Sequence, residues 1–87
     1  MKLSTLREKI DACDADLIAL LAKRFSYTRQ IGEIKAEQGL PAQDSAREQA
    51  VLEQVEALAK KQHLNPAFVR DLFVLLMTQV REEHRTQ

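Results

Sequence analysis

The sequence predicts an all-α fold, in which a three-helix protomer with a long first helix intertwines with a second copy as a helical homodimer. Three observations predict it. Apolar residues recur at steps of three and four along nearly the whole chain, and no stretch alternates as a half-buried strand does. Gly39 with Pro41, and later Asn65 with Pro66, supply the strong breaks. The first periodic stretch is also too long for the rest of an 87-residue chain to cover.

The first helix opens at Thr5, which with Glu8 forms a T-x-x-E capping box, and runs to about Ala36 with Gly32 as its interior weak point. Its stripe is Leu6, Ile10, Cys13, Leu17, Leu20, Arg24, Tyr27, Ile31 and Ile34. A second start signal lies at Asp44 and Ser45, where Ser45 and Glu48 make another capping box. The stripe Val51, Leu52, Val55 and Leu58 then runs to about Gln62. Asn65 as N-cap and Pro66 in the first helical position open the third helix, with the stripe Val69, Leu72, Phe73, Leu76 and Val80. No repeat, low-complexity tract or linker divides the chain, so residues 1–87 read as a single domain.

A first helix of about 31 residues measures roughly 45 Å at 1.5 Å per residue, against about 30 Å for a compact globule of this size. Two shorter helices cover only part of its stripe. The remainder calls for a second copy, and near-heptad spacing is the pattern that packs helix on helix.

Composition narrows the function. Acidic and basic residues balance at 13 each, so no overall field draws in nucleic acid or an anionic membrane, and any anion site must be local. The N-terminus lacks a secretory pattern and no apolar run approaches a membrane span, which makes the cytoplasm the expected location. Cys13, the single cysteine, reads as a small buried hydrophobe in a reducing compartment. No metal cluster, phosphate loop or nucleophile triad is present, so no metal and no cofactor are expected.

Arg24 is the exception on the apolar seam. An unpaired buried guanidinium costs several kcal/mol, so an anion must meet it, either a protein carboxylate such as that of Glu48 or a bound ligand. Lys35 follows 11 residues later, within about 20° of three full turns, and so looks to the same side. Arg7 lies far along the same helix, where an antiparallel partner can bring it back to the site. Arg47 and Glu48 sit near the start of the second helix, and His84 is one turn beyond Val80 on the third. Cations, one acid and an imidazole around an apolar interior suit a small dicarboxylate bearing a hydroxyl. The competing reading gives these charges ordinary solvated or snorkelling roles, and spacing alone does not choose.

The ordered pattern Leu6-Arg7-Glu8-Lys9-Ile10, Asp14, Leu17, Leu20-Leu21-Ala22-Lys23-Arg24, Ile31-Gly32-Glu33-Ile34-Lys35, then Asp44 and Arg47-Glu48, resembles the all-helical class of chorismate mutases across nearly the whole chain. The resemblance implies three-helix protomers intertwined as dimers, with two active sites that each borrow an arginine. It implies that Arg7 is lent to the partner's site and that Arg24 binds a carboxylate in its own. Lys35 is implied to bind a carboxylate and the ether oxygen, while Arg47, the Asp44 region and Glu48 hold the ring hydroxyl and carboxylate side. The implied reaction is the Claisen rearrangement of chorismate to prephenate.

The third helix departs from that pattern. Position 80 of such proteins often carries a serine and position 84 a glutamine or glutamate that donates to the ether oxygen, whereas this chain has Val80 and His84. Val80 removes one carboxylate contact. His84 can still donate an N–H, at the cost of a pH dependence around roughly 6 to 7. These changes leave open an isochorismate pyruvate lyase or a mutase of an amino analogue on the same scaffold. From another class comes a helical dimerisation or regulatory module whose cations are neutralised by its own acids.

Overall fold

The structure is a computed structural model that describes the backbone of residues 2–85 and the side chains of residues 2–83. The described residues form three helices and no strand: α1 (Leu3–Glu37), α2 (Ser45–Lys61) and α3 (Pro66–Arg85). The chain divides into two compact units, Met1–Ile31 and Gly32–Gln87. The first is the greater part of α1. The second holds the end of α1, the turn after it, and the α2–α3 pair.

The start of α1 differs from the capping-box expectation. The amide of Leu6 bonds to the carbonyl of Lys2 at 3.2 Å, so Lys2 occupies the cap position and Thr5 is already inside the helix. Nothing in Leu3 or Ser4 stops helical geometry from propagating one more turn backwards. At the other end, Gly39 adopts φ +66° and the amides of Gly39 and Leu40 bond to the carbonyls of Ala36 and Lys35, at 3.3 and 2.8 Å. That left-handed residue, with its 6→1 and 5→2 bonds, closes the helix as expected of Gly39.

The second expected box also shifts by one residue. Asp44 is the N-cap of α2, with extended backbone, and its Oδ1 accepts the Arg47 amide at 3.0 Å. A charged carboxylate at the positive helix end is a better acceptor than the Ser45 hydroxyl. Glu48 is thereby released from capping. The third start is as the sequence reads: Asn65 Oδ1 accepts the amides of Ala67 and Phe68 at 2.9 and 3.4 Å, and Pro66 takes the first helical position.

The same left-handed closure that ends α1 also ends α2, here without glycine. The amides of His63 and Leu64 bond to the carbonyls of Lys60 and Ala59, at 3.2 and 2.9 Å, and His63 carries φ +60°.

Helices α2 and α3 pack as an antiparallel pair. Glu48 in the first turn of α2 meets Arg81 near the end of α3, whereas Glu56 further along α2 meets Arg70 near the start of α3, at 3.0 and 2.7 Å. Leu52, Val55 and Ala59 of α2 and Met77 of α3 form the buried core. The stripe expected for α2 is therefore rotated at its end. Leu58 is 49% exposed and Ala59 takes the inward place, a side chain small enough to let two helix backbones approach. Val69, Phe73, Leu76 and Val80 are half-buried, and Leu72 is exposed.

No residue of α1 is buried. Leu6, Ile10, Leu17, Leu20, Tyr27, Ile31 and Ile34 are exposed, and so is Cys13. Cys13, expected to be buried, is thus exposed, as are the large apolar members of the stripe it shares.

Candidate functional site

Within the second unit four expected site residues, Lys35, Asp44, Arg47 and Glu48, lie at the end of α1 and the start of α2. Lys35 is in the last turn of α1 and is half-buried. Its Nζ donates to the Ala42 carbonyl oxygen at 3.4 Å, a long bond that a better acceptor can replace. Lys35 and Asp44 line one depression of about 340 Å³ together with Leu40, Pro41, Gln43 and Ser45. The segment 38–44, opened by the Gly39 closure, joins the two and ends at Asp44, the cap of α2.

Asp44 has a structural duty that sequence spacing did not assign, since one of its oxygens holds the Arg47 amide. Arg47 follows in the first turn of α2, with its side chain exposed. Glu48, one residue on, is half-buried and points to α3, where both of its carboxylate oxygens lie near Arg81 Nη1, at 3.0 and 3.3 Å.

Arg81 is the residue that sequence reasoning missed. Its guanidinium sits against Glu48 on one side, and its Nη2 donates to the Thr78 hydroxyl at 3.3 Å on the other. A signal for it existed: Glu56 with Arg70, and Glu48 with Arg81, are opposite charges mirrored about the turn at residues 62–65, as an antiparallel helix pair demands. Val80, its neighbour, is half-buried on α3. The side chain of His84 lies outside the described residues, so its expected role has no geometry here.

Arg7 and Arg24 belong to the first unit. Arg24 is half-buried, and Arg7 is exposed. Among the described residues no group of His, Cys, Asp and Glu is arranged to hold a metal ion, and no helix is long and apolar enough to cross a membrane. Ammonium and guanidinium groups beside cap-bound and ion-paired carboxylates form a polar set suited to carboxylate and hydroxyl groups.

The sequence profile described as chorismate mutase type II matches residues 6–85. The chorismate mutase of Methanocaldococcus jannaschii is 30% identical over 76 residues, which cover 87% of this chain and 77% of that protein. The chain belongs to the type II chorismate mutase family. Two other relatives are longer. The bifunctional chorismate mutase/prephenate dehydratase of Escherichia coli K12 is 39% identical over 75 residues, or 86% of this chain and 19% of that protein. The T-protein of Haemophilus influenzae is 36% identical over 70 residues, 80% of this chain and 19% of that protein. The chain thus spans about a fifth of the length of these two relatives. The chorismate mutase match takes in all the expected site residues from Arg7 to His84, and Arg81 with them.

Proposed function

We propose that this protein rearranges chorismate to prephenate, as a cytoplasmic homodimer whose two sites each take Arg7 from the neighbouring subunit. The observation that carries the reading is the match to the chorismate mutase family over residues 6–85, together with a relative named chorismate mutase of which the chain covers 77%.

The reaction breaks an ether C–O bond and forms a C–C bond in one cyclic movement of electrons. It needs no nucleophile, proton transfer, metal or cofactor. Catalysis reduces to selecting the folded, chair-like conformer and stabilising the negative charge that grows on the ether oxygen. Arg24 and the partner's arginine bind carboxylates. Lys35 exchanges its long bond to the Ala42 carbonyl for a carboxylate and the ether oxygen. Arg47, Asp44 and Glu48 hold the ring hydroxyl and the carboxylate beside it. Val80 offers packing where a hydroxyl contact is missing, and His84 donates to the ether oxygen in place of an amide. Each fixed donor to a developing oxyanion is worth on the order of 10²- to 10³-fold in rate.

The apolar stripe of α1 supports the dimer. Seven large apolar side chains from Leu6 to Ile34, each at least 44% exposed, lie on one helix at packing intervals.

The deciding experiment titrates a bicyclic dicarboxylate that mimics the rearrangement's transition state. The melting temperature should climb with ligand concentration, corresponding to about 2.7 kcal/mol at 100 times Kd. Chorismate should be consumed to prephenate in the same preparation. A flat melting temperature with no turnover would leave only a helical dimerisation module.

A further inference from the structure

The Glu48–Arg81 pair carries a consequence for which substrate the site accepts. Glu48 is the acid assigned to the ring hydroxyl, and this inference rests on that reading. A bare carboxylate in a pocket for a dianion is a liability, because it repels the substrate it is meant to hold. Here one guanidinium nitrogen lies 3.0 and 3.3 Å from the two Glu48 oxygens. The side chains are 29% and 40% exposed, and the second guanidinium nitrogen is tied to Thr78. The arginine is therefore held from two sides, and so is the carboxylate's direction. An ionised carboxylate has about four acceptor positions, so a bond to Arg81 leaves room for a hydroxyl donor.

We propose that Arg81 is a positioning and specificity residue: by pairing with Glu48 it keeps that carboxylate as an acceptor for a neutral ring hydroxyl and turns away a substrate carrying an ammonium at the same ring position. The two effects have one origin. Cancelling the charge of Glu48 removes its repulsion of the dianion, and it also removes the attraction that an unpaired carboxylate would exert on a protonated amine. Arg81 adds its own repulsion of that amine. A hydroxyl asks only for an acceptor and is indifferent to the cancelled charge.

The test compares kcat/KM on chorismate and on its 4-amino analogue for the wild type, Arg81→Met and Arg81→Lys, with melting temperatures measured alongside. Methionine keeps the apolar stem without the charge. Arg81→Met should lower kcat/KM on chorismate about tenfold, mainly through KM, and raise the relative preference for the amino analogue by at least about tenfold. Arg81→Lys should restore most of the wild-type preference. In a Glu48→Gln background, removing Arg81 should no longer shift the preference, because the effect runs through the carboxylate. A purely structural arginine would depress both substrates equally, and an unchanged preference in folded Arg81→Met overturns the inference, as does a shift that persists without the Glu48 charge. Failure of the underlying functional reading looks different: the wild type itself would turn over neither substrate, which overturns both.

Discussion

Asp44 commits one carboxylate oxygen to the Arg47 amide, and that bond aligns the first turn of α2 from which Arg47 and Glu48 project. Two residues of the candidate site therefore depend on a third that also holds the fold. Arg24 is the opposite kind of residue, a half-buried charge in the interior of α1, away from its caps. Arg24→Ala should lower kcat/KM by at least about 100-fold with the oligomeric state unchanged, since in the proposed mechanism it removes a fixed cation that binds a substrate carboxylate. Steady-state kinetics alongside size-exclusion chromatography decides it, and a wild-type rate would remove Arg24 from the mechanism. His63 makes a separate point about stability. It holds φ +60°, a conformation that costs residues with a Cβ on the order of 1 kcal/mol. His63→Gly should stabilise the protein by up to about that amount in chemical denaturation, and a loss of stability would mean that the imidazole makes compensating contacts.

At the level of helices, the periodic stripes and the breaks at Gly39 and Pro66 were legible, because spacing and backbone restriction are properties of the sequence itself. The caps were legible to within a residue or a few. Asn65 held its expected place, but Asp44 displaced Ser45, and α1 began before Thr5. Several adjacent residues can each cap a helix, and the winner depends on how the chain arrives. Inward facing was read less well: Ala59 rather than Leu58 lies in the α2–α3 seam, since closeness of approach and not apolarity selects the residue at a crossing. Arg81 went unseen because its significance arises only when α3 folds back on α2. Leu52 lies in that seam, and Leu52→Ala should cost about 2 to 4 kcal/mol, read from a lowered denaturation midpoint. A cost below about 1 kcal/mol would show that the seam contributes little to stability.

For the molecule as a whole, the proposed sharing of Arg7 makes a genetic-style test available. Arg7→Ala and Lys35→Ala subunits, each inactive as pure dimers, should recover activity when mixed and exchanged, because one of the two sites in a heterodimer then carries every native group. No recovery after confirmed exchange would count against a shared site. The proposed pairing through the exposed apolar stripe of α1 has its own corollary for how such a protein behaves when scarce. A catalyst assembled from two incomplete halves loses output faster than its amount falls. Under strong dilution its initial velocity should approach the square of protein concentration, so a cell making half as much would retain closer to a quarter of the flux.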